Sequence, residues 1–285
     1  MVQVAVLGMG LMGSPMVVNL VNNGVDVIAY NRSPEKLESL QSQGIKTTTN
    51  SEEAIAFAEC IILMLSDYQA IQEVVIDSNV SLDNKTIIQM GTIAPDESKK
   101  LLATINNQGG EYLEAPVLGS IPEVKTGKLL LMVGSNPQQF EQWQSLFQYF
   151  SPEPLLVGEV GKAAALKLAL NQMIAGLTST FALSLSYIQG QEVNLDIFMN
   201  ILRDSALYAP TFDKKLTRMC DRNFANPNFP SKHLLKDIKL FLQSAETLNL
   251  DIIALEGIEA IVTQTVKSNF ANSDYSSLIE GIKKS

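Results

Sequence analysis

The stretch from Val2 to Leu20 reads VQVAVLGMGLMGSPMVVNL. Val4 to Leu7 is an apolar run of the kind that forms a buried strand, and the end of the stretch has helical spacing. Between them stand Gly8, Gly10 and Gly13, spaced G-x-G-x-x-G. After a strand and before a helix, the three glycines have separate tasks. Gly8 permits the tight turn, Gly10 lets a pyrophosphate approach the backbone, and Gly13 lets helix and strand pack closely. The helix start then offers N–H groups and the positive end of its dipole to an anion. The loop Gly8-Met9-Gly10-Leu11-Met12-Gly13 therefore reads as the phosphate-binding turn of a dinucleotide site.

Outward from this turn the first half alternates. Strand-like runs at Val2–Leu7, Asp26–Tyr30, Cys60–Leu65, Thr86–Met90, Tyr112–Val117 and Leu129–Val133 are mostly separated by helical patterns. That order predicts a doubly wound, mostly parallel sheet covered on both faces. Ser33-Pro34, Asn50 with Glu53, and Asn136-Pro137 with Gln139 carry helix-start signals. From about Lys162 the pattern is helical almost to the end, with segments near 194–203, 211–221, 231–248 and 252–268. Lys162–Gln189 is so apolar that burial is expected, between domains or at a subunit interface. The expected organisation is an α/β domain over 1–161 and an all-helical domain over 162–285, with 162–190 as the joining helix.

Composition narrows the function. The chain has 285 residues, 46% of them apolar, enough for a core in each of two domains. Its two cysteines, Cys60 and Cys220, and its one histidine, His233, supply neither a disulfide framework, a zinc site nor a Ser-His-Asp triad. A net charge of −9 argues against nucleic-acid binding. The chain opens on a strand rather than a signal peptide, and no uninterrupted apolar run reaches the roughly 18 residues of a membrane span. A soluble, cytoplasmic protein is expected.

Two places bear on chemistry. The second strand ends in Ala29-Tyr30-Asn31-Arg32-Ser33, with no carboxylate to hold a ribose 2′-hydroxyl or repel a 2′-phosphate. Arg32 can clamp such a phosphate and Ser33 can donate to it, which favours NADPH over NADH. Further on, Lys167 and Asn171 share a helix face, four residues apart. In a partly dry cleft a lysine amine can fall toward neutrality and pass a proton to a carbonyl oxygen as hydride arrives. Spacing alone leaves open that Lys167 lays its stem along an apolar helix with its ammonium in water. Lys236-Asp237 reads as a solvated pair, and a lone histidine such as His233 is more often structural.

Four blocks in order give the chain, over essentially its whole length, a resemblance to the β-hydroxyacid dehydrogenases, and within them to the glyoxylate/succinic semialdehyde reductase branch. They are Gly8 to Met16 with Asn31-Arg32-Ser33; Gly91-Thr92-Ile93-Ala94-Pro95; Glu114-Ala115-Pro116-Val117-Leu118-Gly119-Ser120 with Gly127-Lys128-Leu129; and Gly158-x-x-Gly161 with Lys167, Asn171 and Phe229-Pro230-x-Lys232-His233-x-x-Lys236-Asp237. The resemblance implies a Rossmann domain, a long interdomain helix and a helical domain supporting a homodimer or homotetramer. It implies Lys167 as general acid/base with Asn171 beside it, and a small carboxylate substrate held by Thr92 and the main chain at Gly119 and Ser120. Phe229 and Asp237 would shape the cleft, Lys236 would reach the cofactor, and Met64-Leu65-Ser66-Asp67 would pass its ribose groups by backbone. The implied activity is NADPH-dependent reduction of small aldehyde or keto acids, or oxidation of 3-hydroxy acids.

Leu118 departs from the family's serine, removing a hydroxyl from the substrate side. It motivates an alternative, a bulkier or more apolar substrate. Imine reductases of similar sequence usually lack the lysine that Lys167 supplies. A nucleotide-sensing protein without catalysis is the remaining alternative, and it would need no Lys167–Asn171 pair.

Overall fold

The computed structural model describes residues 2–282. These residues form two compact units that divide between Lys167 and Leu168, inside the long helix Lys162–Gly190.

The first unit is built on strands β1 (Gln3–Leu7), β2 (Asp26–Tyr30), β3 (Lys46–Thr48), β4 (Cys60–Leu63), β5 (Thr86–Gln89), β6 (Glu111–Glu114), β7 (Val117–Leu118), β8 (Leu130–Gly134) and β9 (Leu155–Gly158). Their order in the sheet is β3-β2-β1-β4-β5-β6-β8-β7, with β9 on β8. The run from β3 to β6 is parallel, whereas β8 lies antiparallel to β6 and β7 antiparallel to β8. Pleating divides the strands between two cores. Val4, Val6, Cys60, Ile62, Ile88 and Leu113 pack with Met16, Leu20, Trp143 and Phe147 on one face. Ala5, Leu7, Ile61, Leu63, Ile87 and Tyr112 pack with Ile55, Leu101 and Ile105 on the other. Both faces are thus covered by helices, as a parallel sheet requires. Connection order reverses between β1 and β4, the crevice where open α/β sheets bind ligands.

Local signals decide the helix starts unequally. Asn50 accepts from the amides of Glu52 and Glu53, and Asn136 from that of Gln139. Ser33 makes no side-chain cap, and Pro34–Lys36 is only a 3-10 turn, so that start signal opens no full helix. Strand β3 is three residues long, too short for periodicity to mark it, and among the described residues it pairs with β2 alone.

The second unit is helical: after the long helix come Leu195–Arg203, Pro210–Cys220, Ser231–Glu246 and Ile253–Thr265. Phe181, Leu185, Phe212, Leu234, Ile238, Val262 and Leu278 are among its core.

The long helix bears on two expectations. Met173, Leu177, Leu183 and Tyr187 are 52%, 38%, 58% and 65% exposed in the single chain, so the chain's own core covers only one side of this apolar helix. They recur at helical spacing on one side, while Ala175, Phe181, Ala182 and Leu185 enter the core on another. The helix is also long and apolar enough to cross a membrane by length and composition. Isolated polar residues such as Asn171 and Thr178 interrupt the run without lowering its mean hydropathy far, and both are buried.

Candidate active site

The glycine turn follows β1 at the switch point. Gly8 has φ +108°, and a Cβ there would stand 2.5 Å from the Met64 carbonyl oxygen, so the loop after β1 touches the one after β4. A Cβ on Gly13 would fall 1.9 Å from the Gly8 carbonyl oxygen, where the helix Gly13–Asn22 closes on the turn. A Cβ on Gly10 would meet nothing within 4 Å. Two glycines are therefore demanded by the chain itself, and Gly10 leaves a bare backbone facing open space.

That space is a cavity of about 480 Å³. Gly8, Gly10, Asn31, Arg32, Ser33, Leu65 and Ser66 line it, all expected from sequence, along with Met64 and Asp67. Tyr30, Gln69, Ala70, Glu73 and Val74 also line it and were not expected. Tyr30 ends β2; the other four arrive through a helix that Asp67 caps by accepting from the Ala70 amide, a legible signal, and through the π-turn Gln72–Ile76 beyond it. Met9, Leu11, Met12 and Gly13 do not line the cavity. Met9 is a core side chain whose amide donates to Asn31 Oδ1 at 3.0 Å. Asn31 Nδ2 donates to the Ser33 carbonyl at 3.0 Å. Asn31 thus ties the glycine turn to the end of β2, with Arg32 exposed beside it. An open glycine backbone, a basic end to β2 and a cavity between them fit a dinucleotide.

Thr92 is half-buried, two residues past Met90 at the carboxyl end of β5, and is not among the cavity-lining residues. Gly91 there comes close to the β4 loop: a Cβ would be 2.8 Å from the Leu65 carbonyl oxygen. Leu118 is half-buried on β7, and Gly119 follows with φ +139°. Ser120 differs from expectation. Its amide donates to Glu123 Oε2 at 2.8 Å and its hydroxyl to the same oxygen at 2.7 Å. Donors expected to face a carboxylate from outside the chain instead meet one from within it. The reason is a capping box, Ser120-x-x-Glu123, at the start of the helix Ile121–Lys125.

In the helical unit, Asn171 Nδ2 donates to Asp237 Oδ2 at 2.6 Å, and Lys236 Nζ lies 2.9 Å from Asp237 Oδ1. Asn171 and Asp237 are each 3% exposed, so the pair expected to be solvated has a buried acid. Asn171 Oδ1 is buried with no donor among the described residues. A buried carbonyl in that state is costly unless something outside the chain completes it. Lys167, half-buried, lies one turn earlier on the same helix. Phe229 packs edge-on against Tyr275, with ring centroids 5.8 Å apart. Its segment is pinned by Asp274, which accepts from Lys215 Nζ at 2.8 and 2.9 Å and from the Ser276 hydroxyl at 2.8 Å. Burial works to raise the Asp274 carboxyl, but Lys215 and Ser276 outweigh it and hold the acid below its ordinary range. Burial, then Lys232 and Lys236, lowers the His233 imidazole. No group of three or more potential metal ligands occurs among the described residues.

Residues 3–158 match the family model described as the NAD binding domain of 6-phosphogluconate dehydrogenase. Residues 161–282 match that described as NAD-binding of NADP-dependent 3-hydroxyisobutyrate dehydrogenase. Glyoxylate/succinic semialdehyde reductase 1 of Arabidopsis thaliana is 28% identical, covering 99% of this chain and 98% of its own. The 2-hydroxy-3-oxopropionate reductase of Escherichia coli K12 is 29% identical, over 97% and 96%. A 3-hydroxyisobutyrate dehydrogenase of Mycobacterium tuberculosis, solved with L-serine, shares the fold at a TM-score of 0.88, with 20% identity and full coverage of both chains. Fold and site define an NAD(P)-dependent oxidoreductase. The chain belongs to the β-hydroxyacid dehydrogenase family, whose members include the 3-hydroxyisobutyrate dehydrogenases.

Proposed function

We propose that the protein is an NADPH-dependent reductase of small aldehyde or keto acids, such as glyoxylate or succinic semialdehyde, and that in reverse it oxidises 3-hydroxy acids. The observation that carries this reading is on the long helix: Lys167, and one turn on Asn171, whose buried carbonyl has no donor among the described residues. Gly8, Gly10, Arg32, Ser33, Leu65 and Ser66 would hold the dinucleotide. When bound, it supplies hydride exchange with the substrate carbon. Lys167 gives a proton to the carbonyl oxygen in reduction and takes it back in oxidation. Asn171, held by its amide to Asp237, keeps its carbonyl oxygen turned to a donor. Thr92 and Phe229 would border the substrate. The test is turnover: the purified protein with NADPH should show saturable coenzyme oxidation with short aldehyde acids. A protein that binds NADPH and turns over no member of such a panel is a binding protein instead.

Preference for NADPH rests on Arg32. Arg32→Ala should raise KM for NADPH about tenfold or more while leaving NADH nearly unchanged, because a charge-assisted contact contributes about 1.5–3 kcal/mol. Initial rates with each coenzyme read this directly. A wild type that already prefers NADH would overturn the reading of β2.

A second reading, a bulkier or more apolar substrate, is favoured by Leu118 and by the Ser120–Glu123 box, which leave that strand end poor in donors. Leu118→Ser should improve kcat/KM for glyoxylate or succinic semialdehyde several-fold, up to roughly the worth of one hydrogen bond to a charged group. It should not help substrates with an apolar tail. The ratio between substrate types is the readout, since the change also loosens packing for both. An unchanged ratio means that position 118 does not face the substrate.

A further inference from the structure

The long helix starts without a cap of its own. Its first residue, Lys162, follows Gly161, which has φ +98° and no side chain to bind the orphan amides. The acceptor comes from another element. Glu114 ends β6, is 1% exposed, and its Oε1 accepts from the amides of Gly161, Ala163 and Ala164 at 2.8, 2.9 and 3.0 Å. Its Oε2 accepts from the Ser98 hydroxyl, which also meets the Tyr112 hydroxyl at 2.7 Å. Gly134 makes room for the carboxylate, and Gly161 for Lys99. Gly134 is the register partner of Glu114, and a Cβ there would stand 2.5 Å from Glu114 Oε1. A Cβ on Gly161 would stand 2.7 Å from the Lys99 side chain.

We propose that Glu114 is a positioning residue for the reaction: its carboxylate fastens the first turn of the long helix to the end of β6 and so fixes where Lys167 stands. Three amides on one oxygen set both the height and the rotation of that turn. Lys167 follows Ala164 by three residues, about 4.5 Å along the axis, so freedom at the anchor passes almost undiminished to its Cα. A carboxylate is also the group that the positive end of a helix dipole favours. Burial raises the Glu114 carboxyl, against the Ser98 hydroxyl and the three amides, so the chain holds an acid where solvation opposes it. The proposal rests on the catalytic reading of Lys167.

The test compares Glu114→Ala, Glu114→Gln and Gly134→Ala with Lys167→Ala in the full chain, reading kcat, NADPH dissociation and amide hydrogen exchange over 161–167. Glu114→Ala should lower kcat about tenfold or more, since a misplacement of about 1 Å can cost roughly 10²-fold. NADPH dissociation should stay near wild type, and exchange over 161–167 should rise about tenfold, the scale of a lost helix cap. Glu114→Gln keeps an oxygen of the same reach and should restore most of both losses. If Glu114→Ala does not fold, as loss of NADPH binding would show, Gly134→Ala displaces the carboxylate without removing it and should show the same losses in smaller measure. Wild-type exchange in a folded Glu114→Ala, or in Gly134→Ala where that variant stands in, overturns the anchor. Raised exchange with wild-type kcat overturns the positioning role. A fully active Lys167→Ala would instead sink the catalytic reading, while exchange still decides the anchor.

Discussion

Lys167→Ala is expected to lower kcat by about 10²-fold or more, the usual scale for losing a general acid. The reaction leaves negative charge on the substrate oxygen, and without a donor that charge must be met by water. NADPH affinity should barely move, because the cavity lined by Gly8, Gly10, Arg32 and Ser33 contains no part of Lys167. The loss should therefore appear in kcat at near-constant coenzyme KM. A variant with wild-type kcat would remove Lys167 from the mechanism.

The second large effect is on stability. Lys215 and Asp274 form a buried ion pair, with side chains 8% and 0% exposed, and Lys215 Nζ also sits 4.0 Å from the Tyr275 ring centroid. Asp274→Ala strands a buried ammonium and should cost roughly 3–5 kcal/mol. Lys215→Met combined with Asp274→Ala should cost less than Asp274→Ala alone, because no unpaired charge remains. Denaturant unfolding of the full chain reads both. An equal or greater cost for the double variant would mean that the pair acts by packing rather than by charge. The pH dependence has a definite sign. Asp274 is held below its ordinary range, so its contribution is present above the unfolded value of about 3.9 and is lost as pH falls through the lower folded value. The segment carrying Phe229 and Pro230 hangs on this pair through the Tyr275 amide bond to the Phe229 carbonyl, so the loss should raise substrate KM as well.

Legibility in the sequence followed the range of the physics. Gly8, Gly10 and Gly13 could be read from their spacing between a strand and a helix; the structure shows a steric demand at Gly8 and Gly13 and open space at Gly10. The parallel core could be read because buried strands are near-continuous apolar runs. The short strand β3 carries little local signal, and although Leu129–Val133 reads as a strand, no local pattern announces the antiparallel pairing of β8 with β6 and β7. The Ser120–Glu123 box was legible as Ser-x-x-Glu, yet the family pattern drew attention to Ser120 as a donor to substrate. Glu114 had no local signal: the amides it caps lie 47 to 50 residues away in the chain. Likewise the burial of Asp237 depends on Asn171, 66 residues earlier, where helical periodicity alone makes an ordinary surface acid.

On the proposed function, coenzyme oxidation by this protein should produce a hydroxy acid. The most direct measurement is the stoichiometry of NADPH consumed against hydroxy acid formed, with glyoxylate and succinic semialdehyde each at saturation. The two quantities should match one for one in the wild type and collapse together in Lys167→Ala. NADPH consumed without a matching hydroxy acid, or no consumption by a protein that binds NADPH, would contradict the proposed function.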